Sequence, residues 1–191
     1  MDNDVERRRI LVTGGCGFIG SHLVDRLLSV GYDVVVLDDL STGKRSNLDP
    51  RATLMVGDAG DPGLAARAFT GVAGCFHLAA IASVARSNED WLGSHRANQT
   101  ATISILNEAR AKDARPPVPV VYASSAAVYG EPEVEPLGEE AATRPLTAYG
   151  ADKLGSELHA RVAWIVHGVP TTGLRFFNVY GPRQDLSLIH I

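Results

Sequence analysis

The chain has 191 residues, enough for one domain with a substantial core. Its apolar share of 45%, charged share of 21% and net charge of -4 are those of an ordinary globular protein, and they give no electrostatic reason to expect nucleic acid or an anionic membrane as a partner. No apolar run is long enough to span a bilayer, and the tight basic run Arg7-Arg8-Arg9 leads at once into a short apolar stretch and then glycines, so it reads as a solvated strand entry and not as a targeting signal.

In chain order, the pattern predicts a buried strand at 9–13 and a helix at 19–30 closed by Gly31, with a glycine loop between them. A second strand follows at 33–37, rich in valine, and a third at 53–56. A short helix is expected at 62–69, with Pro62 in its first turn. Strand four is expected at 74–78, and a long helical stretch, weakened by Gly93, at 90–112. Strand five, 118–123, is entered through the proline-rich residues 116–119. The last helix, 149–167, repeats Leu154, Leu158, Val162 and Ile165 at helical spacing and stops at Gly168; strand six is 171–176.

Strand and helix alternate throughout, which implies a parallel sheet covered on both faces. With a glycine loop after strand one, the economical topology is an α/β doubly wound Rossmann sheet in the order 3-2-1-4-5-6. Residues 130–140, with five glutamates and two prolines, read as a solvated loop at the carboxyl edge of that sheet, where ligands bind. The two cysteines, Cys16 and Cys75, lack metal-ligand spacing, so no metal site is expected, and the absence of a signal peptide points to a reducing cytoplasm.

Within the loop, Gly15-x-Gly17-x-x-Gly20 meets the dinucleotide fingerprint and Gly14 adds a wider form of it. A side chain at this turn would hold a pyrophosphate away from the backbone, and the helix that follows offers free N–H groups and a positive dipole end to phosphates. Alone, such a motif is often just a tight turn. Here it follows a strand, opens a helix and is answered by Asp38 at the end of strand two, whose carboxylate suits ribose hydroxyls and repels a 2′-phosphate. NAD is therefore expected over NADP. Lys44 and Arg45 nearby fit a solvated loop. Topology adds Asp58 and Ala59 after strand three, and the small residues Ala79 and Ala80 after Leu78, where a flat cofactor can lie close to the backbone. Asn98, inside a helix, reads as exposed.

Tyr149 and Lys153 stand four apart and so project from one helical face. A free tyrosine, with a pKa of about 10, is a poor base at neutral pH. A nearby ammonium and the positive nicotinamide ring are expected to pull it toward the working range. Ser125, at the end of strand five, supplies a hydroxyl for the substrate oxygen. Tyr-x-x-x-Lys alone would be an ordinary surface turn, but its place after the glycine loop, the acidic strand end and the hydroxyl argues for a proton relay.

At these residues the chain resembles the extended short-chain dehydrogenases. The segments Val12-Thr13-Gly14-Gly15-Cys16-Gly17-Phe18-Ile19-Gly20-Ser21-His22, Leu37-Asp38-Asp39-Leu40-Ser41, Ser124-Ser125-Ala126-Ala127-Val128-Tyr129-Gly130, Tyr149-Gly150-Ala151-Asp152-Lys153 and Leu174-Arg175-Phe176-Phe177-Asn178-Val179-Tyr180-Gly181-Pro182-Arg183-Gln184-Asp185 are most similar to the NAD-dependent nucleotide-sugar epimerases, the UDP-glucose 4-epimerases in particular. The resemblance implies that Gly14, Gly17, Phe18, Ile19, Gly20, Asp38, Asp39, Leu40, Ser41, Thr42, Gly43, Asp58, Ala59, Leu78, Ala79, Ala80, Asn98, Tyr149, Lys153 and Phe177 meet NAD. Tyr149 would be the acid/base, Lys153 its electrostatic partner, and Ser125, Tyr149 and Asn178 the ligands of a UDP-sugar. The implied reaction interconverts UDP-glucose and UDP-galactose through a transient 4-keto sugar. Other nucleotide-sugar epimerases, for UDP-N-acetylglucosamine or UDP-glucuronate, and related reductases are rivals. A non-catalytic NAD sensor would not need Ser125, Tyr149 and Lys153 together. A homodimer of the full-length protein through the helices at 90–112 and 149–167 is also implied.

Two departures from the family pattern stand out. Ala126 and Ala127 replace the acidic pair that the related dehydratases carry after the hydroxyl, which disfavours 4,6-dehydration. Ala82 stands where some epimerases have a lysine near the cofactor. The final residues, 186–191, fit nothing in the family and read as a non-native tail. On this reading 1–185 is an NAD-binding domain cut short, with the C-terminal substrate domain missing. The chain as written is then expected to bind NAD weakly, dissolve poorly and lack epimerase activity.

Overall fold

The computed structural model describes residues 8–131 and 136–184. The proposed tail, the domain boundary at 185, Arg7 and part of the acidic loop lie outside the described residues. Six parallel strands form one sheet: β1 (Arg9–Thr13), β2 (Asp33–Asp38), β3 (Thr53–Val56), β4 (Val72–His77), β5 (Val120–Ser125) and β6 (Thr171–Phe176). Their order is β3-β2-β1-β4-β5-β6, the doubly wound order expected.

Alternation along the central strands sorts their side chains onto the two faces. Ile10, Val12, Val34 and Val36 pack under α1 (Phe18–Ser29), whose Val24 and Leu27 meet them. Leu11, Val35, Leu37 and Val120 face the other way, beneath α2 (Pro62–Ala68), α5 (Ala101–Glu108) and α6 (Ala148–His167). Because the period is two and both faces are covered, these strands are apolar at nearly every position.

Local chemistry sets the helix ends. Asp61 caps α2 by accepting the amide of Leu64 at 2.8 Å, with Pro62 at the first helical position. Thr147 caps α6 through the amide of Gly150 at 3.0 Å, and Gly168 ends it in the left-handed region with φ 64°. On α6, Ser156, Ala160 and Ala163 are buried, while Leu158, Val162, Trp164 and Ile165 are exposed. The small-residue stripe therefore covers the sheet and the large apolar stripe faces outward.

The expected continuous helix at 90–112 is corrected. It divides into α4 (Trp91–His95), a π-helical stretch Arg96–Thr100 and α5, which ends at Glu108, and a further short helix, α3 (Val84–Glu89), precedes it. Asp90 interrupts the run because its carboxylate caps α4, accepting the amide of Gly93 at 2.9 Å. Strand five starts later than expected, at Val120, because Pro119 has no N–H to give a ladder. It also runs on to Ser125, which in turn caps a 3-10 turn, Ala126–Val128, by accepting the amide of Ala127 at 3.1 Å.

Candidate active site

The carboxyl ends of the strands line up at one edge: Thr13 pairs with Leu37 and His77, His77 with Tyr122, and Ser125 with Phe176. A cleft of about 880 Å³ runs along this edge. The expected residues Gly14, Gly17, Phe18, Ile19, Gly20, Asp38, Asp39, Ser41, Thr42, Gly43, Asp58, Ala59, Leu78, Ala79, Ala80, Ser125, Tyr149, Lys153, Phe177 and Asn178 all line it.

The glycine turn is close-packed. Gly14 has φ +70°, and a Cβ there would lie 2.7 Å from the amide nitrogen of Ala79; at Gly20 it would lie 2.1 Å from the Gly14 carbonyl. Phe18, Ile19 and Gly20 form the first turn of α1, where amides have no partner within the helix. At one end of the cleft the Asp38 carboxylate accepts the amides of Cys16 and Leu40, each at 2.9 Å. Burial pushes its pKa up, and the two amide bonds oppose this. An extended hollow with a glycine wall, a helix N-terminus and a carboxylate at one end fits a dinucleotide.

At the other end stand Ser125, Tyr149 and Lys153. Lys153 is buried, its Nζ 2.8 Å from the Ala123 carbonyl and 5.7 Å from the centre of the Tyr149 ring. Burial lowers its pKa to about 8, against the raising field of Asp152. Burial pushes the Tyr149 pKa up, and the Ser125 hydroxyl partly offsets this.

Two of the expected contacts, Leu40 and Asn98, do not line the cleft. Leu40 sits at φ 60° and packs on the core between the sheet and α1. Asn98 corrects the reading of an exposed helical residue. It is buried, and it holds Ile81 by both backbone groups, accepting its amide at 2.7 Å and donating to its carbonyl at 3.3 Å. Asn98 thus supports the cleft wall from behind.

Sequence reasoning missed a brace on the substrate side. Arg175 on β6 donates two hydrogen bonds to Glu157 of α6, at 2.8 and 2.7 Å, and others to Tyr129 Oη and the Glu139 carbonyl. Glu157 also accepts from Ser124, the neighbour of Ser125, at 2.5 Å. Burial raises the Glu157 pKa, but the bonds from Arg175 and Ser124 outweigh it and hold the carboxyl low. Also missed was the return of 179–184 across the cleft to α1, where Arg183 pairs with Asp25 at 2.8 Å and His22 Nε2 donates to the Pro182 carbonyl at 3.0 Å. Tyr180, Arg183 and Gln184 line the cleft as a result, as does Lys44 beside Asp38. No local motif announces contacts so distant in sequence.

Among the described residues no helix is long and apolar enough to cross a membrane, and no group of three His, Cys, Asp or Glu side chains could hold a metal.

Known proteins share this architecture and its motifs. The chain is 38% identical over 181 residues to the UDP-glucose 4-epimerase of Lacticaseibacillus casei, covering 94% of the chain and 54% of that protein. The structure of the Thermotoga maritima UDP-glucose 4-epimerase with UDP-glucose is similar with a TM-score of 0.87 at 36% identity, over 93% of this chain and 58% of that one. A UDP-N-acetylglucosamine 4-epimerase from Methanobrevibacter ruminantium, in complex with UDP-N-acetylmuramic acid, gives a TM-score of 0.87 at 34% identity, over 95% and 58%. The chain thus spans about half the length of the curated relatives it matches. Residues 10–190 match the NAD dependent epimerase/dehydratase family, and the chain belongs to it.

Proposed function

We propose that this chain is the cofactor-binding and proton-relay part of a nucleotide-sugar 4-epimerase that interconverts UDP-glucose and UDP-galactose. The observation that carries this reading is the grouping of Ser125, Tyr149 and Lys153 at the end of a dinucleotide-shaped cleft. When bound, NAD supplies a reversible hydride acceptor for the sugar C4. Tyr149, as phenolate, takes the proton of the C4 hydroxyl while the C4–H bond breaks, leaving a 4-keto sugar. After the sugar turns, Tyr149 returns the proton to the C4 oxygen as the opposite face is reduced. Lys153 supplies positive potential that favours the phenolate, and Ser125 holds the sugar oxygen. Asn178, exposed and lining the cleft, would touch the sugar nucleotide.

Ala126 and Ala127 form the turn after Ser125 and carry no acid that could protonate a departing C6 hydroxyl, so epimerisation is favoured over dehydration. The likeness to an N-acetylglucosamine enzyme supports a second reading, in which the N-acetylated sugar is the substrate. We further propose pairing of two copies through α5 and α6, whose outward stripe is apolar. Product analysis of the full-length protein with UDP-glucose, UDP-galactose, UDP-N-acetylglucosamine and UDP-glucuronate tests the assignment. Preferential conversion of the N-acetyl sugar selects the second reading, and a 4-keto-6-deoxy product overturns both.

A further inference from the structure

A buried row of polar side chains runs behind the cleft floor, and the proposed relay uses none of it. Thr13 Oγ1 lies 3.2 Å from the amide nitrogens of both Leu78 and Ala79, and 2.7 Å from His77 Nδ1. On the far side of the ring, His77 Nε2 lies 3.1 Å from Thr102 Oγ1, which is 2.7 Å from the Asn98 carbonyl. The donors in this row can be assigned. Thr102 sends its single proton to the Asn98 carbonyl, so its oxygen accepts from His77 Nε2. Nε2 therefore carries the ring proton, and Nδ1 of the neutral ring accepts the proton of Thr13. The Thr13 hydroxyl oxygen takes the Ala79 amide and shares that of Leu78 with the Thr13 carbonyl. A cationic ring would leave the Thr13 hydroxyl proton with no acceptor in this row.

The row matters because of what its ends hold. Thr13 fixes the first two residues of the cleft floor, against which the glycine turn presses at Gly14 and Ala79. The backbone that receives the Thr102 proton belongs to Asn98, whose side chain grips Ile81. His77 is the only side chain that spans the gap between Thr13 and Thr102 in this row.

We propose that His77, as a neutral imidazole protonated on Nε2, is a positioning residue of the cofactor cleft that sets residues 78–81 against the glycine turn. The proposal rests on the reading of this cleft as an NAD site. Burial, with the field of Lys153 added, holds the imidazole down to about 3, so the ring stays uncharged at neutral pH.

The test titrates NAD into the 191-residue chain and into two variants, each at a temperature where its own circular dichroism melt shows it folded. His77→Phe keeps a ring but removes both hydrogen bonds. His77→Asn keeps an acceptor facing Thr13. We expect His77→Phe to weaken NAD binding by about tenfold or more, and His77→Asn to recover most of that loss. Nitrogen-15 spectra of the unmodified chain should show a neutral His77 ring protonated on Nε2 from pH 6 to 8. Unchanged affinity in folded His77→Phe, an Asn variant as weak as the Phe variant, or a ring protonated on Nδ1 would each overturn the proposal. If His77→Phe does not fold, a tenfold loss in His77→Asn, or the wrong tautomer, overturns it. Failure of the unmodified chain to bind NAD would count against the reading of the cleft, and the ring spectrum would still decide the tautomer.

Discussion

Lys153 Nζ stands 5.7 Å from the centre of the Tyr149 ring, yet its hydrogen bond goes to the carbonyl of Ala123, at 2.8 Å. The ammonium therefore acts on the phenol through space. It also ties α6 to the end of β5, where Ser125 stands two residues further on. Proton chemistry and geometry at this end of the cleft thus depend on the same buried cation.

In the proposed mechanism Tyr149 is the acid/base, and its replacement by Phe leaves the ring. Epimerisation by the full-length protein should then fall by about 10²–10⁴-fold. NAD affinity, measured by titration, should be retained. Near-normal turnover would assign the base to another residue.

Burial of Lys153 links its charge to stability. Its pKa falls to about 8 in the folded protein, from the usual 10.5. Below pH 8 both states carry the charge and the folded state bears the full cost. Between pH 8 and 10.5 the folded protein releases the proton while the unfolded chain keeps it, so this group makes stability rise with pH there, by about 3 kcal/mol at most. Lys153→Met should remove this rise and melt higher at pH 7 while losing activity. Denaturant unfolding across this pH range checks it, and the same slope in the variant would refute the assignment.

Asp38 has two tasks. On the proposed reading its carboxylate faces the adenosine end and favours NAD over NADP, and the same carboxylate holds the glycine loop through the Cys16 amide. Asp38→Ala should narrow the preference between the cofactors and also weaken NAD itself, by about tenfold, because the Cys16 amide loses its acceptor. Calorimetric titration with both cofactors tests this. Tighter NADP binding by the unmodified chain would sink it.

The outward stripe of α6 predicts association. Leu158, Val162 and Ile165 are all at least half exposed. Such a contiguous apolar row is expected to be covered by a second copy. Light scattering at micromolar concentration should give a dimer for the unmodified chain and a monomer for Val162→Glu. A monomeric mass for both would remove the interface.

Much of this was legible in the sequence for a physical reason. Glycines that must approach another backbone, such as Gly14 and Gly20, cannot be replaced by residues with a Cβ, so chemistry and sequence coincide there. The strands were legible because burial on both faces forces runs of branched apolar residues. The helical region after β4 was not. Asp90 looks like an ordinary helix residue until its carboxylate turns back to cap α4, and Asn98 looks solvent-facing until the π-helical stretch turns it inward. The brace between Glu157 and Arg175 and the contact of His22 with Pro182 join residues that no local pattern relates.

The π-helical stretch Arg96–Thr100 acts as a phase shifter. With i→i+5 bonding it accommodates one residue more than a regular turn, so the faces on either side of it are not those a continuous α-helix would present. Asn98 and Thr102, four residues apart, share one side and reach Ile81 and His77. The offset sets instead the phase of α4, whose His95 meets Asp152 of α6 at 2.8 Å. Deleting Ala97 would restore regular winding and turn α4 relative to α5, drawing His95 from Asp152 while Asn98 and Thr102 keep their places. Stability and cofactor binding would then part company: a lower melting temperature with NAD affinity retained, read by a melting curve and an NAD titration on the same sample.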